Sequence, residues 1–304
     1  MATSPAATDE REALDRGAGM VDRSERGKLA LAGAGAAEFL NGLVTNDVEA
    51  LEPGTGCYAA VLTPKGKMLG DLRVLRTEDG ELLLDTERSA LQEVFNVLWR
   101  GRIGYDVEIH KRTLQTGLLS LAGPRAREIA GEPSPPAIEH AHVAAQIAGV
   151  PVRLVATDVG VEVLCDAERT EAVAQALRER GAVPVSEGAL EALRVERGRP
   201  RYGVDLDDST IPQEAGLNER AVSFTKGCYV GQETVARLFY RGKPNRHLRG
   251  LRLAGPAATG DELRLDGRTV GRVGTVAESP RHGTIALALV RREAEPGATL
   301  EAGA

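Results

Sequence analysis

Cysteine is scarce in this chain: three residues in 304, Cys57, Cys165 and Cys228, far apart and with no CxxC or histidine-rich spacing. That excludes a disulfide framework and a self-contained zinc site, and it suits a reducing cytoplasm. Long apolar runs are missing too. None reaches 18 residues, so no membrane-spanning helix is expected. Positive charge is in deficit: 38 Lys and Arg face 44 Asp and Glu, a net charge of -6 that argues against broad nucleic-acid binding. The first 19 residues lack an apolar targeting core and carry Asp9, Glu10, Glu12 and Asp15. Their Ala/Thr/Ser/Pro opening predicts a disordered tail over 1–24. The expectation is a soluble, cytoplasmic monomer.

What is present has the texture of an α+β protein. Lys28-Leu-Ala-Leu-Ala reads as a strand, followed by a short helix within 33–43. Gly33-Ala-Gly-Ala-Ala-Glu resembles the start of a dinucleotide fingerprint. Glu38 stands where the third glycine belongs, however, and no acidic residue is placed to follow a second strand, so the Rossmann reading is set aside. Tyr58-Ala-Ala-Val-Leu-Thr, Leu69-Gly-Asp-Leu-Arg-Val-Leu and Glu81-Leu-Leu-Leu-Asp read as further strands. Leu91, Val94, Phe95 and Leu98 then mark one face of a helix over 88–100. Strand–strand–helix units recur at about 27–100, 107–131 and 150–181, a pattern of antiparallel sheets with covering helices. From about Asn245 short strands alternate with turns, and Asp266-Gly267 is a hairpin signal. These features divide the chain into a tail (1–24), an α+β body (25–244) and a small C-terminal β-barrel (245–304).

The densest chemistry lies between 190 and 237. Lys226-Gly-Cys-Tyr-Val-Gly-Gln-Glu sets Cys228 between glycines, two residues after a lysine and just before a helix start. A nearby cation and a helix N-terminus both favour thiolate, so Cys228 reads as a reactive or metal-binding cysteine. A packed turn cysteine is the bland alternative. Leu193-Arg-Val-Glu-Arg-Gly-Arg-Pro-Arg offers a single carboxylate, Glu196, among arginines. A carboxylate accepts paired N–H groups from a flat heteroaromatic ring, and arginine takes an anionic tail, although a surface salt-bridge network explains the same residues equally well. Arg197-Gly-Arg-Pro-Arg and Arg241-Gly-Lys-Pro-Asn-Arg-His are basic clusters able to hold a small anion.

The chain resembles the YgfZ family of folate-binding proteins, relatives of the T-protein (aminomethyltransferase) of the glycine cleavage system. The signature K-G-C-[FY]-x-G-Q-E-x-x-A-R is complete from Lys226 to Arg237. Collinear matches are Phe39-Leu-Asn-Gly-Leu-Val-Thr-Asn-Asp-Val, Leu62-Thr-Pro-Lys-Gly-Lys-Met-Leu-Gly-Asp-Leu, Leu193-Arg-Val-Glu-Arg-Gly and Gly203-Val-Asp-Leu. The resemblance implies a ring of ferredoxin-like subdomains around a hole that binds tetrahydrofolate, followed by a C-terminal β-barrel. It implies folate contacts from Glu196, Gln232, Glu233, Arg237 and Tyr202, with Gln232 standing where T-proteins commonly carry arginine. It places the T-protein's catalytic aspartate near Arg112-Thr113, where no acid stands, and so points away from aminomethyl transfer. The implied role is assembly or repair of iron–sulfur clusters in client enzymes, with Cys228 as nucleophile or transient ligand and Lys226 favouring its thiolate. A one-carbon transferase is the alternative, and it would be favoured if Asp47, Asp71 or Asp85 lay at the folate site. A cluster-transfer protein with a vestigial folate site is the third possibility. No metal resident in the chain is expected.

Overall fold

Alternation along the strands sets the layers of this molecule. The structure is a computed structural model that describes residues 5–303. The chain opens with α1 (Pro5–Arg16), β1 (Gly19–Asp22), β2 (Gly27–Ala32), α2 (Ala36–Asn41), β3 (Thr55–Leu62), β4 (Met68–Arg76), β5 (Leu82–Thr86) and α3 (Leu91–Gly101). It continues through β6 (Glu108–Lys111), β7 (Thr116–Ala122), α4 (Ala126–Ala130), β8 (His142–Ile147), β9 (Val150–Ala156), β10 (Gly160–Asp166) and α5 (Thr170–Glu179). Then come β11 (Val183–Pro184), α6 (Glu187–Glu196), α7 (Asn218–Ala221), α8 (Gln232–Arg241) and β12 (Arg246–Arg252). The last strands are β13 (Glu262–Leu265), β14 (Arg268–Ser279), β15 (Gly283–Arg291) and β16 (Glu301–Gly303).

Three sheets result. The first is antiparallel in the order β3-β4-β5-β2-β6. The second has the order β11-β1-β7-β10-β9-β8, antiparallel except for the parallel β1–β11 pair. Two of the strand–strand–helix units read from the sequence therefore merge. β7 pairs with β10 to build one sheet from both, while β6 crosses to the first sheet beside β2.

The period-two rule assigns the faces. On β4, Leu72 and Val74 point to the core under α2 and α3, joined by Leu82 and Leu84 of β5. On β10, Val161, Val163 and Cys165 point to the second core, with Leu119 and Leu121 of β7 and Val173 and Leu177 of α5. The opposite faces of the two sheets meet. One part of that junction is apolar, formed by Leu75, Leu83, Leu118, Val155 and Leu164. The other part carries Asp71, Arg73, Asp85, Ser120 and Glu162, and it is this polar half that positions the site.

Residues 5–22 correct the expected tail. They form α1 and β1, and β1 pairs with β7 and β11 inside the second sheet. Glu10 accepts hydrogen bonds from the Ser186 N–H at 2.8 Å and the Ser186 hydroxyl at 3.0 Å. The sequence hid this order because few apolar residues, Ala13, Ala18 and Met20, are buried there and strand pairing supplies much of the rest. Residues 1–4 lie outside the described residues.

The C-terminal sheet has the order β12-β15-β14-β13-β16 and is antiparallel throughout. Its edge strands β12 and β16 do not pair with each other, so it is an open sheet where the sequence reading has a barrel. The Asp266-Gly267 hairpin is present between β13 and β14, with positive φ at both residues (51° and 75°), as a type I′ turn requires. The apolar face of α6, Ala192 and Val195, packs on Ala277, Ile285 and Leu287 of this sheet. Ser186 caps that helix, its hydroxyl accepting the Ala189 N–H.

Candidate functional site

Beside the polar junction lies a cavity of about 220 Å³, walled by both inner sheet faces, by α6 and by the turn that follows it. Asp71 enters its wall from β4 because Leu72 and Val74 claim the other face. The Tyr58 hydroxyl donates to Asp71 Oδ2 at 2.6 Å, the one hydrogen bond to this carboxyl group among the described residues. Burial pushes the Asp71 carboxyl up to about 6, with Tyr58 and Arg26 pulling it down and Glu87 and Asp85 adding to the rise. The Tyr58 phenol is pushed well above its ordinary range, by burial and then by the Asp71 charge.

Ion pairs spanning the two sheets hold this wall. Arg73 sits opposite Asp85 across β4 and β5 and bonds it at 2.7 Å. Its guanidinium also bonds Glu162 of the second sheet, which accepts from Ser120 directly across β7 and β10 at 3.1 Å. Arg26 adds a 2.7 Å bond to Asp85 and a further one to Glu87. Burial opposes ionisation of Glu162, yet Arg73, Arg26 and Arg23 outweigh it and hold this carboxyl down at about 2. Burial together with Arg73 and Arg220 depresses His140 to about 3, so that imidazole is neutral at physiological pH.

Cys228 occupies a different place. It is exposed, on the loop between α7 and α8, while the next residue, Tyr229, is buried with Phe224 and Val235. The loop is fixed from several sides. Lys226 Nζ donates to the carbonyls of Asn41, Asn46 and Val44 at 2.6, 2.7 and 2.9 Å. Ser223 N–H bonds Thr45 O at 2.9 Å, and the Thr45 hydroxyl donates to Ala221 O. Gly231, at φ +85°, lies so close to the β3–β4 turn that a Cβ there would stand 2.6 Å from Thr63 O. Gly66 of that turn, at φ +76°, presses back on Thr234. Three separate motifs of the sequence, around Asn41, Gly66 and Cys228, thus form one unit. Phe224 and Phe239 stack at 3.8 Å beside the loop, with Phe239 and Tyr240 exposed.

The GcvT N-terminal domain family matches residues 2–226 of the chain. The chain belongs to this family. A chloroplastic Arabidopsis thaliana protein that carries a provisional transferase name is 31% identical over 273 residues, 86% of this chain, and the chain spans 62% of that relative's length. The crystal structure of the glycine cleavage system aminomethyltransferase T from Bartonella henselae superposes with a TM-score of 0.86. It covers 99% of this chain and 86% of its own length at 24% identity, which establishes a shared fold.

Within this GcvT-family framework the residues expected from sequence separate. Lys226 gives its three N–H donors to backbone carbonyls, and the ionisable groups acting on it are Asp47, Cys57 and Glu49. Burial lowers its ammonium to about 8. Cys57 faces this lysine from β3, half-buried, with burial pushing its thiol up to about 12. Glu196 turns from the cavity to accept a hydrogen bond from Ser279 of the third sheet. Gln232, Glu233 and Arg237 lie on the first two turns of α8, outside the cavity wall. Tyr202 is half-buried between two cores, and its phenol is raised to about 12 by burial and then by Asp208 and Asp207. Arg112 and Thr113 sit beyond β6, bonded to Lys28, so an acid missing there leaves the cavity unaffected.

The cavity instead uses residues that the sequence reading passed over or left as one choice of several. Asp71 was one of three aspartates named. Asp85 is consumed by Arg26 and Arg73, and Asp47 accepts the Ala50 N–H at 3.2 Å in its own turn. Tyr58, Glu162 and Arg220 carried no signal as single residues. Polar residues at alternate positions of an otherwise apolar strand, as in Gly70-Asp-Leu-Arg-Val-Leu, are the pattern that marks such a wall.

Proposed function

We propose that this GcvT-family protein binds a reduced folate in the cavity and acts, through Cys228, as an accessory factor in assembly or repair of iron–sulfur clusters of other enzymes. The YgfZ signature over Lys226–Arg237 supports that role, and the T-protein-like ring would be its scaffold. The observation that carries it is the division of labour between two sites. An exposed thiol sits on a loop braced by three motifs, while a separate buried cavity holds the polar groups suited to a heteroaromatic ring.

The cavity's residues fit a folate ring. At about 220 Å³ it is smaller than a pocket for a whole drug-sized ligand, which suits one bicyclic ring with the remainder outside. The free side of the Asp71 carboxyl can accept ring N–H groups, and the Arg220 Nε, buried without a partner in the same wall, is available as a donor. Bound folate would supply one-carbon chemistry; the chain would orient it and exclude water. Among the described residues, no three His, Cys, Asp or Glu side chains are grouped to hold a metal ion. A cluster handled at Cys228 is therefore cargo whose other ligands come from a partner. The exposed Phe239 and Tyr240 beside the loop offer apolar area for that partner.

The test compares wild type and Cys228→Ser in cells lacking the protein. Activity of iron–sulfur enzymes is expected to fall with the serine variant, while tetrahydrofolate affinity of the purified protein is kept. Full rescue by the serine variant would falsify the thiol-centred role. Asp71 favours a second reading, a folate-dependent one-carbon transferase, because a carboxyl titrating near 6 can hold or release a proton near neutrality. That reading requires turnover of an aminomethyl donor by wild type and its loss in Asp71→Asn.

A further inference from the structure

We propose that the third sheet holds a second ligand site, a cavity that takes a long-chain carboxylic acid with its carboxylate on Arg249. This cavity shares no lining residue with the first and does not depend on the folate reading. It begins with the open seam of the sheet. Because β12 and β16 do not pair with each other, the apolar face between them stays accessible. A cavity of about 680 Å³ lies there, within the range of small-molecule pockets. Leu251, Leu253 and Leu300, all partly buried, line it together with Leu263 and Val290 of the sheet's core. None of these side chains offers a hydrogen-bond donor or acceptor, so the body of a matching ligand is hydrocarbon.

The polar anchor is Arg249 of β12. It alternates along the strand with Leu251 and Leu253, which puts all three on the cavity face. Among the described residues its side chain makes no ion pair and one hydrogen bond, from Nη1 to Leu248 O at 3.3 Å. Its Nε is buried without a partner. Nε and Nη2 form the edge by which a guanidinium grips a carboxylate through two parallel bonds. Arg23, Arg125, Arg194 and Arg246 of this chain use that edge on Glu187, Glu128, Glu191 and Glu214. On Arg249 the same edge meets no carboxylate among the described residues. A buried N–H without a partner is costly, and a ligand carboxylate removes that cost. Arg252 and Glu295 also line the cavity, but both are exposed, where solvent and salt screen them. One buried cationic donor at the head of an apolar lining is the complement of a fatty acid.

Titration of the purified full chain with dodecanoate, and separately with dodecanol, which lacks the carboxylate, tests this. Wild type is expected to bind one dodecanoate, and to bind dodecanol about tenfold or more weakly, the scale of a charge-assisted hydrogen bond. Arg249→Met keeps an apolar side chain of similar length and removes the guanidinium. It is expected to weaken dodecanoate by about tenfold or more and to leave dodecanol unchanged. Leu300→Trp fills the cavity and should abolish binding of both ligands. Neither residue is fully buried, so unchanged melting temperatures verify the fold of both variants. No dodecanoate binding by wild type, or binding that neither substitution alters, overturns the site. Equal losses of dodecanoate and dodecanol in Arg249→Met overturn the carboxylate contact.

Discussion

Asp71 stays protonated over a pH range in which exposed carboxylates are already ionised, because burial raises it from an ordinary 3.8 to about 6. The folded state therefore binds this proton more tightly than the unfolded chain does. Stability from that source is full below about pH 4 and is lost as pH rises through 6. A rise of about two units corresponds to roughly 3 kcal/mol at neutrality. Asp71→Asn keeps an acceptor for Tyr58 and removes the titration. Its stability relative to wild type should grow from about pH 4 to about pH 6 and level off above that at this limit, as urea unfolding at several pH values would show. A difference constant across the range would mean that the carboxyl ionises normally. The sequence carried Asp71 among three candidates and could not choose, because the choice depends on which face of β4 meets which sheet. Lys226 shows a further thing that spacing hides: four methylenes let its ammonium reach carbonyls at Asn41, Val44 and Asn46, so that it braces the loop.

At the scale of elements, α8 and its preceding loop are fixed by glycines whose need is steric. Gly231 adopts positive φ and has a carbonyl 2.6 Å from where a Cβ would stand, so Gly231→Ala strains the backbone and drives the loop from the β3–β4 turn. A loss of about 2–4 kcal/mol is expected in urea unfolding. The labelling rate of Cys228 by a thiol reagent should change as well. An unaltered rate together with unaltered stability would show that the two loops are not pressed together in solution. Most elements were legible. The face of α3 formed by Leu91, Val94, Phe95 and Leu98 packs on the first core, and the Asp266-Gly267 turn joins its strands. α1 and β1 were not, since so few of their apolar residues are buried.

Across the whole molecule, Arg73, Arg26, Asp85 and Glu162 tie the two large sheets together at the cavity's edge. Breaking a buried ion pair strands a charge, so Arg73→Met, which leaves Asp85 and Glu162 without this partner, is expected to cost about 3–5 kcal/mol. Replacing Arg73, Asp85 and Glu162 together by apolar residues of similar volume should recover most of that loss in the same unfolding measurement. A triple variant as unstable as the single one would refute the view that stranded charge is the cause. The sequence by itself determined the α+β class, the strand–strand–helix units, the hairpin-rich C-terminal region and the singular setting of Cys228, because periodicity, turn residues and local motifs are short-range signals. Only the tertiary structure decided that two units merge into one sheet, that Glu196 faces Ser279 while Asp71 faces the cavity, and that Lys226 braces the loop that holds Cys228. Those outcomes depend on which strand faces meet and how far a side chain reaches, and neither is written in the spacing of residues along the chain.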